Sequence, residues 1–278
     1  MKILESLQTR QHYITLKIKS LVKVSYLYLL KLFLLTFALL LTGFSDVAHS
    51  QPVLKYNITA SGSHYPYSTN NPKLPGILPE VIEQVLKTAH INAEHVDLPA
   101  KRITKYLSDG LIDFDVISLS WLPESERKNS HYVFSNPLLS VSESIISSAQ
   151  NTQQWQTVAS LQNKNVGTVL GYYYHNDKEF NRVDFPSEKE LITALNLNRV
   201  DVAIAGDLPA LYWANKLGIE IAFGAQHSYG LMRIRLISKH ADLLPAINIA
   251  IDTLNKEGFI KQVEDKYMQS IPTQNLRD

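Results

Sequence analysis

The chain has 278 residues, 45% hydrophobic and 19% charged, which is enough apolar matter for a large core and excludes a disordered polyelectrolyte. Its formal charge is +1, but residues 1–50 hold six basic and two acidic residues; taking these from 27 basic and 26 acidic leaves a body at −3, without the basic footprint of a nucleic-acid binder. No cysteine occurs, which excludes disulfides, thiol catalysis, cysteine-bound zinc and a lipoprotein anchor.

Residues 1–50 read as an export signal. Lys17, Lys19, Lys23 and Lys31 precede an apolar run at residues 32–41 (LFLLTFALLL), and Ala48-His49-Ser50 supplies small residues for cleavage after Ser50. The competing reading is an uncleaved anchor, with the run extended back through residues 26–30; the run alone is short of the roughly 20 residues a span needs. Either way the remaining chain is expected beyond the inner membrane. The long basic stretch also allows a start downstream of Met1.

Residues 54–59 (LKYNIT) alternate as a half-buried strand does. A polar, proline-rich loop follows. Residues 79–90 predict a helix, with Pro79 and Glu80 in its first turn and Val81, Ile82, Val85 and Leu86 on one face. A strand at 91–98, a helix at 99–108 stopped by Gly110, and a strand at 112–119 complete a first unit. The pattern then repeats: strand 165–170, helix 187–197 with a Ser187/Glu190 capping box, strand 200–205, helix 208–217 ended by Gly218, and strand 219–223. A strand at 231–238 crosses back, and helices at 241–255 and 259–268 close the chain. Strands alternating with helices imply an α/β fold with parallel pairing.

Several signatures share one order along the chain. They are Tyr65-Pro66-Tyr67 after the first strand, Gly76 before a helix, LSDGLID at 107–113, Ser118-Leu119-Ser120, PESER at 123–127 and Phe134-Ser135-Asn136-Pro137. LQNKNVGTVLG at 161–171, Arg199-Val200-Asp201 and the terminal helix around Tyr267 follow. Together they resemble the periplasmic solute-binding proteins of family 3, the polar amino-acid binders of ABC importers. The resemblance covers about residues 54–268. It implies a two-lobed clamshell: lobe 1 from residues 52–141 plus 234–278, lobe 2 from 142–233, joined by two crossover strands with hinges near 141–143 and 232–234. Closure on a ligand by hinge motion is expected.

The resemblance also implies a ligand set. Arg127 is the candidate carboxylate clamp, since a guanidinium fork matches a carboxylate; the competing reading is an exposed arginine in a charged run. The loop carrying it is longer than in the amino-acid binders, and Trp121 sits inside it, either walling the pocket or packing the loop. Ser118 and Ser120 end the third strand, where ligands of open α/β sheets gather. Tyr65 and Tyr67 sandwich the ligand or pack their loop. Tyr172 and Tyr173, with Tyr174, stand after Gly171 where the amino-acid binders carry small hydroxyl residues, so an altered pocket is expected, with one tyrosine facing the cleft and another packing. Asp207 takes the ligand's ammonium or caps the helix that follows. Arg102 reads as a helix-surface arginine that could line the cleft.

Enzyme readings find less support. The nine histidines show no His-Glu-x-x-His run, and no phosphate loop, nucleophile elbow or dinucleotide fingerprint is present. No metal, no cofactor and no catalytic residue are expected. Asp113 and Asp115 share one strand face and read as solvated or capping residues. The expected function is capture of a small polar ligand, an amino acid or related, by a monomer serving an inner-membrane permease. The alternatives are a ligand-sensing module for a membrane receptor and a cyclohexadienyl dehydratase-like enzyme.

Overall fold

A computed structural model of the protein describes residues 25–26, 28–36, 53–58, 64–69, 71–269 and 271. Residues 25–26 and 28–36 are helical and exposed. Among the described residues, no helix is long and apolar enough to cross a membrane. The expected cut after Ser50 and residues 37–41 of the apolar run lie outside the described residues.

From residue 53 onward the strands join one sheet. β1 (Leu54–Asn57) lies between β2 (Ala93–His95) and β3 (Phe114–Ser118), parallel to both. Helix α1 (Ile77–Thr88) connects β1 to β2, and α2 (Ala100–Ser108) connects β2 to β3. α1 buries Ile77, Leu78, Val81, Ile82, Val85 and Leu86, each contributing about 1.5–3 kcal/mol. It begins two residues earlier than the sequence predicts, because Ile77 and Leu78 extend the apolar face. β2 is three residues long rather than eight: the Val96 amide makes a last ladder bond to the Tyr56 carbonyl, and the Val96 carbonyl accepts from the Asn57 side chain.

Beyond β3 come a short helix α3 (Glu124–Arg127), β4 (Tyr132–Phe134) and β5 (Leu139–Ser148). β6 (Asn165–Val169) runs parallel to both β7 (Asn181–Phe185) and β8 (Val202–Gly206). α4 (Glu188–Asn196) precedes β8 and α5 (Asp207–Leu217) follows it. At the start of α4, Ser187 bonds the Glu190 side chain directly and makes no side-chain bond to the helix backbone, so a side-chain pair stands in place of the expected capping box. α5 ends at Gly218 in the left-handed conformation, as its sequence signals. β4 and β7 escape the sequence reading, and β5 enters it only as a crossover strand near 141–143; β7 is a half-exposed edge strand without a clear alternation.

β9 (Ile221–Ile237) corrects a larger expectation. The two predicted strands at 219–223 and 231–238 are one continuous strand. It pairs antiparallel with β5 from Leu139–Met232 to Ser148–Ile221, with register shifts between Glu143 and Ile146. It also pairs with β3 and β4. The sheet order is β2-β1-β3-β9-β5-β8-β6-β7. β5 and β9 each begin in one apolar core and end in another. Leu139, Val141, Met232 and Ile234 belong to the core of β1, α1, α6 (Leu244–Lys256) and α7 (Phe259–Met268). Ile145, Ile146, Ile221 and Ala225 belong to the cores around β6, β8, α4 and α5. The two-lobed α/β arrangement with two crossover strands follows from this pairing.

Candidate functional site

The carboxyl ends of β1 and β3, the turn after β3, and the loop after β6 converge on a cavity of about 290 Å³. That is near the lower end of small-ligand pockets, about 300–1,000 Å³. Its wall is largely apolar, from Ile58, Leu78, Val116, Ile117, Leu122 and Met232. The polar lining is concentrated in Asn57, His64, Thr104, Asp115, Glu126, Glu143 and Arg235, with Trp121, Tyr172 and Tyr173. Both lobes therefore contribute.

Arg235 on β9 is wholly buried opposite its strand partner Asp115. Its Nε donates to Asp115 Oδ1 at 3.0 Å and its Nη2 to Oδ2 at 2.6 Å, a bidentate pair. Burial alone would lower the guanidinium's affinity for its proton; the Asp115 carboxylate outweighs that and holds it above its ordinary value. Nη1 is left buried without a partner, as are Glu126 Oε2 and the Trp121 indole nitrogen. All three residues line the cavity. Buried polar atoms without partners cost about 1–3 kcal/mol each, more when charged, and a polar group entering the cavity would offset that cost.

The lobes touch around it. His64 Nδ1 donates to Glu188 Oε1 at 2.6 Å, and the Tyr172 hydroxyl donates to the same oxygen at 3.3 Å. Tyr65 stacks on Tyr212 at 3.8 Å between centroids. Gly171, at φ 91°, lies so close to Lys101 that a Cβ there would stand 2.9 Å from its Cγ.

The expected ligand residues divide. Trp121, Tyr172 and Tyr173 line the cavity. Tyr174 packs instead: it is 1% exposed and its hydroxyl accepts from the Val169 amide. Ser118 and Ser120 bond each other at 2.8 Å and are pressed by the backbone of Gly230, where a Cβ would come within 2.1 Å of Ser118 Oγ. Neither serine lines the cavity. Tyr65 is held by Tyr212 and by its hydrogen bond to the Tyr267 carbonyl; Tyr67 is core, its hydroxyl pushed up by burial and by Asp207. Asp207 is the first residue of α5, with Gly206 at the cap position. Arg127, at the end of α3, is exposed, and its neighbour Glu126 faces the cavity; Arg102 is exposed too.

Asp113 and Asp115 are buried, which corrects their reading as solvated residues. Burial pushes the Asp113 carboxyl up, but the Lys55 amide, Lys239 and His240 together hold it below its ordinary value. Arg235, Glu126 and Glu143 were not among the expected ligand residues. A signal existed for the first: Arg233 and Arg235 alternate within the otherwise apolar LMRIRLI, an arginine period on one strand face. Among the described residues, no group of three metal-ligating side chains is assembled.

Residues 56–270 match the family model of the bacterial extracellular solute-binding proteins, family 3. The chain belongs to that family. Within this family of binding proteins, it is similar to the probable amino-acid-binding protein YxeM of Bacillus subtilis (strain 168), at 24% identity over 76% of this chain and 83% of that one. Its fold matches the GluR0 ligand-binding core in complex with L-glutamate, with a TM-score of 0.67 and 17% identity over 78% of this chain and 99% of that one. It likewise matches the amino acid ABC transporter substrate-binding protein AbpA of Streptococcus pneumoniae bound to L-arginine, with a TM-score of 0.65 and 17% identity over 78% and 96%.

Proposed function

We propose that this solute-binding protein captures an amino acid or a close relative in the cavity between its lobes and hands it to an inner-membrane ABC permease. One observation carries the reading: a guanidinium nitrogen, a carboxylate oxygen and an indole nitrogen are buried without partners around one small cavity. A zwitterion offers the matching groups. Its carboxylate would accept from Arg235 Nη1 and the Trp121 indole, and its ammonium would donate to Glu126. Tyr172 and Tyr173 would cover the side chain, and the stacked Tyr65–Tyr212 pair would hold the lobes together over it. Ser118 and Ser120 support the wall from behind, and Asp207 acts from the start of α5. We read the protein as a periplasmic monomer, exported by its N-terminal segment, that binds and releases its ligand unchanged.

The test is a thermal-shift screen of the purified chain against amino acids, short peptides, polyamines and aromatic keto acids. A ligand at 100 times its Kd adds about 2.7 kcal/mol of stability, a visible shift. A hit recovered chemically unchanged, and weakened by Glu126→Gln, is the expected result. A hit that is consumed makes the protein an enzyme of the dehydratase kind. Silence across the panel overturns the amino-acid reading.

A further inference from the structure

The cavity carries more negative charge than its own side chains neutralise. Asp115 and Arg235 cancel each other. Glu126 and Glu143 also line it, and among the described residues neither has a basic side chain within hydrogen-bond distance. Glu143, 4% exposed, accepts a bond from Ser228 Oγ at 2.5 Å. A carboxylate buried against a hydroxyl alone keeps most of its desolvation cost, and a cation beside it offsets that cost.

The next group outward is His227. Its Nε2 stands 2.8 Å from Asn176 Oδ1. That oxygen, as assigned, only accepts, so Nε2 carries a hydrogen in either charge state of the ring. Nδ1 is thus a bare lone pair when the ring is neutral and an N–H when it is protonated. It is buried without a partner, 4.0 Å from Glu143 Oε2. The lone pair gains nothing from the carboxylate; the protonated nitrogen gains an ion pair after a small rotation. From the loop after β6, His175 stacks on the ring at 4.4 Å and Tyr174 approaches at 5.9 Å. A proton on His175 is disfavoured by burial and by His227, so the stacked pair favours a single proton. Glu143 and Ser228 face each other across the crossover strands, where the register first shifts.

We propose that Glu143 receives a cationic group of the ligand and that a proton on His227 competes for it, so that a cationic ligand is released on acidification. This rests on the cavity being the ligand site. While the ring is neutral, Glu143 is open to the ligand. Once the ring is protonated, the imidazolium occupies Glu143, and affinity falls with falling pH.

Calorimetric titrations of L-arginine and its neutral isostere L-citrulline, at pH 8.0 and 5.5, test this across the range where histidines change charge. Arginine is expected to bind at least about tenfold tighter than citrulline at pH 8.0 and to lose about tenfold at pH 5.5, with citrulline nearly unmoved. Glu143→Gln should abolish the preference for arginine, and His227→Gln should flatten the pH ratio. In the unmutated chain, arginine binding near pH 6 should expel a proton, read as heat that depends on the buffer. An unchanged pH ratio in His227→Gln, no proton release, or a preference surviving Glu143→Gln overturns the proposal. If arginine fails to bind while a neutral or anionic ligand in the thermal panel does, this inference falls and the binding function stands; if the whole panel is silent, the function falls with it.

Discussion

The two sides of the cavity handle buried charge differently. On the β3 side, Asp115 meets Arg235 through two hydrogen bonds, and Asp113 meets Lys239, His240 and the Lys55 amide. These partners all belong to one lobe or its crossover strand. On the side of β5 and the second lobe, Glu143 meets the Ser228 hydroxyl, and Glu188 is reached from the other lobe by His64. A pair closed within one lobe is a fixed wall, unaffected by opening. A carboxylate whose partner is neutral, or arrives from across the cleft, is the kind on which the proposed ligand and a closure of the lobes would act.

The sharpest way to break that contrast is Arg235→Ala. It strands the Asp115 carboxylate in the core, which should cost about 3–5 kcal/mol in urea unfolding. An unchanged midpoint would mean that the β3 wall is not held by this pair. Gly230→Ala comes next, because its Cβ would overlap Ser118 Oγ; overpacking of this kind costs about 1–3 kcal/mol. Ser118→Ala in the same chain should restore part of it, and a strictly additive double variant would refute the contact. Tyr212→Ala tests the responsive side. It removes a cross-cleft stack of about 0.5–1.5 kcal/mol, so ligand affinity should weaken up to about tenfold while the lining stays intact.

Acid should act on the fixed wall through Asp113. Its folded carboxyl sits below the ordinary value of 3.8. Its stabilisation is therefore present above that value and is lost as pH falls through the folded one. Melting curves from pH 5 to pH 2 should decline more steeply in the unmutated chain than in Asp113→Asn. Equal slopes would assign the acid sensitivity elsewhere. Smallest of all is Arg127→Ala: at an exposed helix end it should change stability by no more than about 0.5 kcal/mol, with ligand affinity within a few-fold. A large loss of affinity would bring Arg127 to the ligand in a state other than this one.

Much of the architecture was legible locally. The α1 face at Val81, Ile82, Val85 and Leu86, the stop at Gly218, and the closing helix 259–268 follow from period, glycine chemistry and amphipathicity over a dozen residues at most. The ordered family signatures led to the two-lobed fold. The site was legible only in part. Trp121, Tyr172 and Tyr173, singled out by their place just after strand ends, line the cavity. Arg127 and Glu126 are adjacent in sequence, yet a single turn of helix turns one to solvent and the other to the cavity.

By itself the sequence determined the helices α1, α4, α5, α6 and α7, the strands β1, β3, β6 and β8, the parallel pairing of β1 with β3 and of β6 with β8, and that the chain is a solute-binding protein. Each of these depends on contacts a few residues apart or on motifs read in order. Only the tertiary structure decided that residues 221–237 are one strand, that Arg235 answers Asp115 across 120 residues of sequence, and that Glu143 stands before His227. The physical reason is register. A strand's alternation says that a charge faces one side of a sheet, but its partner depends on which distant strand lies alongside and at what offset.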